Sequence, residues 1–322
     1  MPMQSLVKVI AIVAAACIPA ALGAQTYPAK PIRIIVGFTP GAGVDIAMRL
    51  IAPKIGDIVG QQVIVDNRPG AGGNIGAEIV ARAPADGYTL FAAGAPAAIS
   101  QTLYSKLSYD LVRDFEAVAL VASTPMLLVV HPSLPARTVK EFVAIAKSPP
   151  ATLPYASTGS GSTPHLTAEM LKMQTGIQIL HIPYKGTPPA LADLLSGNVT
   201  FMFANTLSVL PHVQSGRLRA LAITSAKRSA TLPAVPTVAE TYAGFESGTW
   251  YGLAAPSRTP QDAIARLNDA VVRVMQLPEI QEKFLVQGSQ PLTGTAQQAD
   301  AYVRAEAAKW SKVVKASNVK AD

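Results

Sequence analysis

A single cysteine in 322 residues, Cys17, excludes a disulfide framework and a thiolate metal site. Charged residues make up only 15% of the chain, against about 25% in an average soluble domain. That shortage raises the question of a membrane protein. Beyond residue 24, however, no run of about 18 apolar residues is free of charges and turn signals. The longest apolar stretch, Ala117 to Val130, is interrupted by Ser123, Thr124 and Pro125. Aromatic residues are scarce at 6%, and the net charge of +7 is spread without a basic block. This pattern gives no nucleic-acid footprint and reads as a solvated basic surface. The 23 glycines and 26 prolines are too scattered for a disordered or collagen-like chain. The length exceeds what one core usually organises, so two lobes are expected.

What the N-terminus does contain is an export pattern. Lys8 supplies a positive start, Val9 to Cys17 is a short apolar stretch, and Ala20 to Ala24 offers small residues for cleavage after Ala24. Leu22 fits the cleavage pattern imperfectly, so the cut could shift by a residue. A lipid anchor on Cys17 is disfavoured, because Ala14 stands where such signals usually have leucine. Residues 1–24 are therefore read as a cleavable signal peptide, and the expected location is the periplasm.

Strand and helix patterns then alternate. Ile32 to Phe38 reads as a buried strand, with a helix from about Asp45 that Pro53 is expected to kink or restart. Strand 62–66, helix 75–83 and strand 88–92 complete a βαβαβ rhythm, which argues for a largely parallel sheet covered by helices. A second set begins at Met126. It reads as strand 126–130, helix 139–147, strand 153–156, helix 164–175, strand 178–182, helix 188–196, strand 200–203, helix 207–215 and strand 218–224. Thr163 reads as the N-cap and Gly176 as the stop of the helix that opens with Pro164. From Pro260 onward the pattern is helical, with amphipathic stretches at 262–275 and 297–314. The expected fold is α/β and two-lobed, each lobe a mostly parallel sheet flanked by helices. Lobe 1 is assigned residues 25–124 plus 245–322 and lobe 2 residues 125–244. The crossings fall near Ser123–Pro125 and Glu246–Trp250.

Each half carries one strand, glycine-rich loop and helix in succession. Gly41-Ala42-Gly43 precedes one helix and Gly159-Ser160-Gly161-Ser162 another. Backbone N–H groups at a helix start attract anions, and glycine admits a ligand close to the backbone. The same loops also fit plain tight turns. Enzyme motifs fail: there is no Walker lysine, no G-x-S-x-G, and Ile75 stands where a dinucleotide loop would need its third glycine. Ser162 and His165 suit capping or ligand contact better than nucleophile and base. His131, His165, His181 and His212 show no metal-ligand spacing, and the position of Asp45 favours N-capping.

At these loops the sequence resembles the Bug-type periplasmic solute receptors of tripartite tricarboxylate transporters. The resemblance covers nearly the whole chain beyond residue 24. It rests on YPAKPIRIIVGFTPGAGVD (27–45), VIVDNRPGAGGNIGAEIVARAPADGYTL (63–90), ASTGSGSTPHLTAEML (156–171), IPYKGTPPALADLLSGNV (182–199), the stretch 210–240 and TWYGLAAP (249–256). It implies a two-lobed "Venus flytrap" receptor with no catalysis; no metal or cofactor is expected, and the chain is expected to act as a monomer. The implied ligand is a small organic anion, usually a carboxylate, and the implied partners are a large and a small membrane subunit. In that family two strand-to-helix loops grip a carboxylate, partly through ordered waters. Here the first loop would supply Phe38, Pro40, Gly41, Ala42, Gly43, Val44 and Asp45. The second would supply Ser157, Thr158, Gly159, Ser160, Gly161, Ser162 and His165, with Tyr184 and Ala204 nearby. Ala42 and Val44 depart from the common P-G-G-x-[TS]-D loop, and Val44 removes a hydroxyl donor. Ala204 stands where F-D-N would place an aspartate, which argues against an amino-acid ligand. A ligand sensor feeding a signalling system and an enzyme acting on organic acids remain the alternatives.

Overall fold

The computed structural model describes residues 27–148, 152–184, 186–229, 231–286, 288–317 and 319–320. The segment read as a signal peptide, with Cys17, lies outside these residues, as does Lys185 of the 182–199 stretch. The chain opens with β1 (Ile32–Val36), α1 (Gly43–Val59), β2 (Val63–Asn67), α2 (Asn74–Ala81), β3 (Thr89–Gly94) and α3 (Ala95–Leu103). β1 pairs in parallel with both β2 and β3, as the βαβαβ rhythm requires. β4 (Phe115–Val130) then runs for sixteen residues and connects the two halves of one ten-stranded sheet.

The second half contains α4 (Val139–Lys147), β5 (Leu153–Ser157), α5 (Thr163–Thr175), β6 (Ile179–Pro183), α6 (Thr187–Ser196), β7 (Phe201–Asn205), α7 (Thr206–Gln214) and β8 (Arg219–Ile223). β9 (Gly248–Pro256) brings the chain back. α8 (Gln261–Met275), α9 (Pro278–Val286), β10 (Gln290–Pro291) and α10 (Ala296–Ser317) complete it. The sheet order is β2-β1-β3-β9-β4-β7-β5-β6, with β8 and β10 also on β4. The parallel strands within each half match the expectation. The connecting strands β4 and β9 run antiparallel to their neighbours, so the sheet as a whole is mixed.

β4 exchanges partners at a defined point. Up to Pro125 it pairs with β9, and from Met126 it pairs with β7. Close by, the Met126 N–H donates to Thr224 Oγ1 at 2.8 Å, and the Thr224 hydroxyl donates to the Ser247 carbonyl at 2.6 Å. The returning chain is thus tied to the outgoing one immediately before β9. Both sheet halves are covered on both faces. On one face of the first half, α1 and α8 pack Met48, Ile51, Leu267 and Val271 against Ile32, Ile34 and Val36. On the other, Trp250 and Trp310 join Ile35, Val80 and Ile99. Leu166 of α5 belongs to this second cluster, so the two halves share apolar contact beside the sheet.

Three local expectations need correction. α1 runs unbroken through Pro53. Proline removes one helical hydrogen bond there, and burial of Ile51, Ala52, Ile55 and Val59 around it holds the helix together. The N-cap of α5 is Ser162, and Thr163 is the first helical residue. Pro164 is tolerated at the next position because its missing N–H would have no intrahelical partner. Gly176 ends α5 in the left-handed conformation, as its sequence position suggested. The third correction concerns Asp45, whose role belongs to the site.

Candidate ligand-binding cleft

The loops after β1 and β5 have the same construction. The N-caps are Ala42 and Ser162, both extended, and neither uses its side chain to cap. The Ala42 N–H donates to Thr39 O, and the Ser162 N–H to Gly159 O, at 3.2 Å in each case. Gly41 and Gly161 precede the caps at φ 85° and 73°, where a side chain would be strained. Three residues after each cap, a side chain reaches back. The Gly41 N–H donates to Asp45 Oδ2 at 2.9 Å, and the Gly161 N–H donates to His165 Nδ1 at 3.0 Å. Asp45 therefore does not cap the helix. It closes the loop behind it, in the manner of the return half of a capping box.

Each loop has its own support. Asp45 is buried and also accepts from Arg49 Nε and Asn67 Nδ2, both at 2.9 Å. Burial raises the pKa of its carboxyl, but the Gly41 N–H, Asn67 and Arg49 outweigh this and hold it below the usual range. Asn67 donates to Phe38 O at 3.0 Å as well, so the end of β2 fixes the start of the first loop. In the second loop Ser157 Oγ donates to Gly159 O at 3.0 Å and accepts the Gly159 N–H at 3.1 Å. The Ser162 hydroxyl donates to the same Gly159 carbonyl at 2.6 Å. Its proton is therefore committed within the loop.

Between the loops lies a cleft of about 950 Å³. Of the residues singled out in the sequence, Phe38, Pro40, Gly41, Ala42, Gly43, Val44, Thr158, Gly159, Ser160, Gly161, Ser162 and Ala204 line it. Asp45, Ser157, His165 and Tyr184 do not. Asp45, Ser157 and His165 are buried behind the loops, with their polar atoms turned toward backbone groups. Tyr184 donates its hydroxyl to Asp193 at 2.5 Å, and burial raises its pKa to about 12. The sequence reading missed one wall, formed by Ile99, Ser100 and Leu103 of α3 with Tyr104, and the floor, formed by Met126, Phe203 and Tyr251.

No Asp, Glu, Lys, Arg or His side chain lines the cleft among the described residues. The first turns of α1 and α5 border the cleft, and first-turn N–H groups lack intrahelical partners and lie at the positive ends of their helix dipoles. α3, α6 and α7 also begin at cleft residues, namely Gly94, Gly186 and Asn205. The cleft therefore has a partial positive character without a cationic side chain. Leu103 reaches across it, because a β-carbon on Gly161 would collide with the Leu103 methyl groups.

Two lobes, a two-way chain crossing and a cleft between matched helix starts define a periplasmic binding protein. Residues 47–319 match the family described as "Tripartite tricarboxylate transporter family receptor". The chain belongs to that family, whose members are periplasmic solute-binding receptors and not enzymes. It is 39% identical over 324 residues to Protein BugT of Bordetella pertussis, covering 99% of each chain. Two solved structures from Rhodopseudomonas palustris are similar along nearly their full length. One, solved with adipate, has a TM-score of 0.79 and 36% identity, over 91% of this chain and 99% of that one. The other is MatC with bound malate, with a TM-score of 0.75 and 30% identity, over 89% of this chain and 100% of that one.

Proposed function

We propose that this receptor captures a small organic acid as its carboxylate between the two loops and passes it to the membrane subunits of a tripartite tricarboxylate-type transporter. The observation that carries the reading is a cleft of about 950 Å³ between matched helix starts, lined by donors and apolar groups but by no Asp, Glu, Lys, Arg or His side chain among the described residues. Enclosing a bare carboxylate costs several kcal/mol, roughly as for any buried charge. Charge-assisted hydrogen bonds contribute about 1.5–3 kcal/mol each, so a few backbone donors offset that penalty. Micromolar affinity requires only about −8 kcal/mol in total. The similar structures with adipate and malate support a carboxylate as the ligand class.

In this reading, Gly41 to Val44 and Thr158 to Ser162 contact the ligand, while Ala204 and the α3 wall shape its far end. The lobes are residues 25–124 plus 245–322 and residues 125–244. They move about the partner exchange of β4 at Pro125–Met126 and the start of β9. Residues 1–24 act as the export signal. Protein purified from its native host without refolding should carry its ligand into the mass spectrometer. A small carboxylic acid at near-stoichiometric yield is the expected result. A neutral sugar or a metal ion in its place would defeat the proposal.

A further inference from the structure

The second loop rests on two stacked histidines that the cleft does not touch. The rings of His165 (α5) and His181 (β6) lie 3.7 Å apart at an interplanar angle of 12°. Tyr155 of β5 lies beside the pair, its ring centroid 5.0 Å from His181 and 6.4 Å from His165. Each histidine meets a different part of the loop. His165 Nδ1 accepts the Gly161 N–H at 3.0 Å, which requires an unprotonated Nδ1 and places the ring proton on Nε2. His181 Nε2 lies 2.6 Å from Ser157 Oγ, the atom that clasps both the N–H and the carbonyl of Gly159. His181 thus supports the side chain that holds the Gly159 turn.

The first loop shows what this arrangement replaces. There Asp45 makes the equivalent bond to Gly41, and its negative charge is balanced by Arg49 and Asn67. In the second loop the acceptor is a neutral ring instead of a carboxylate. We propose that His165 and His181 are positioning residues of the second loop, His165 as acceptor of the Gly161 N–H and His181 as partner of Ser157, and that they hold the Gly161 and Gly159 turns so that their neighbours' N–H groups face the cleft. The proposal deepens the ligand-binding reading and rests on it for its consequence, but the positioning itself is read without ligand.

The groups facing His165 favour its neutral form. Burial comes first, then the adjoining His181 ring and Lys172 on the same helix, and together they push its pKa down to about 4. Glu169, also on α5, is engaged by Lys172 and by the Tyr155 hydroxyl. Because the unfolded side chain binds its proton near pH 6.5, the support is fully present above that value. It is lost as pH falls through about 4.

The test is nuclear magnetic resonance of the full chain without ligand, comparing wild type with His165→Phe and His165→Asn. Phenylalanine keeps the stack and removes the acceptor. Asparagine places Oδ1 about where Nδ1 stood and does not titrate. The wild-type His165 ring should show the Nε2–H tautomer at neutral pH, with a Gly161 amide protected until the pH nears 4. His165→Phe should speed Gly161 exchange by about tenfold or more with the β1–β3 amides unchanged, while His165→Asn keeps the protection and loses its pH dependence. Adipate, used as the probe, should bind wild type and His165→Asn alike and His165→Phe more weakly. Gly161 exchange unaltered in His165→Phe, or His165 titrating at its ordinary value, would overturn the proposal. Wild type that ignores adipate and every other small acid would instead overturn the receptor reading, and the amide exchange would still decide the role of the pair.

Discussion

Replacing Gly161 with valine should abolish ligand binding while leaving the far-ultraviolet circular dichroism unchanged. Gly161 sits at φ 73°, a region that costs an L-residue roughly 1–2 kcal/mol and a β-branched residue more. The larger effect comes from across the cleft. The new side chain would point into Leu103 of α3, so the loop and the α3 wall could not keep their present separation. Gly41 makes the contrast, since a β-carbon there meets nothing within 4 Å and would occupy open cleft. Calorimetry with the acid that binds wild type should give no measurable heat for Gly161→Val. Trimming the obstacle should restore part of the affinity, so Gly161→Ala with Leu103→Ala should bind better than Gly161→Ala alone. Full affinity in Gly161→Val would remove the second loop from the site.

The second large effect lies far from the cleft, at Glu306. This buried residue of α10 accepts the indole N–H of Trp250 at 3.1 Å and that of Trp310 at 2.9 Å, and it also pairs with Lys309. Trp250 is on β9, so the carboxylate fastens the C-terminal helix to the returning strand. Both indoles are fully buried, and Glu306→Ala would leave two donors without an acceptor. At about 1–3 kcal/mol for each stranded donor, the loss is roughly 2–6 kcal/mol. For a chain of this size that lowers the melting temperature by about 4–24 °C, at roughly 2–4 °C per kcal/mol. Glu306→Gln keeps one carbonyl acceptor and should lose only part of this. A change of less than about 2 °C in Glu306→Ala would mean that the tail is held by packing alone.

The legible and illegible parts of the molecule separate on physical grounds. α4 is bounded in the structure by the residues that its sequence pattern suggested, because Thr138 and Glu141 form a capping box and one apolar face is buried. α3 was missed. Its sequence, APAAISQTL, has apolar residues on several sides because it is covered by the core on one face and borders the cleft on another. It therefore lacks the single stripe that marks a surface helix. Of the long strand β4 only 126–130 reads as strand from the sequence, since Ser123-Thr124-Pro125 interrupts the apolar run and reads as a crossing between lobes. In the structure Pro125 stays within the strand at the point where partners change, so the missing N–H is tolerated there.

The two glycine loops were visible because turn chemistry is local. Their supports were not, since Asn67 reaches Phe38 and Asp45 from the end of another strand, and His181 reaches Ser157 across the β5–β6 pair. One signal for the supports does stand in the sequence. Asp45 and His165 each lie four residues beyond a loop glycine, Gly41 and Gly161, at equivalent places in the two halves. Aligning the halves on those glycines would have assigned both residues to the loops' undersides rather than to the ligand.

The central claim is that the cleft holds a carboxylate through uncharged donors, and it is tested most directly by titrating one active acid and its methyl ester in the same calorimeter. For a dicarboxylate the comparison uses the full ester. The ester keeps the shape and apolar body of the acid but gives up its charge-assisted bonds. Losing two such bonds, at about 1.5–3 kcal/mol each, predicts at least a hundredfold weaker binding. Acid and ester binding with equal affinity would contradict the account.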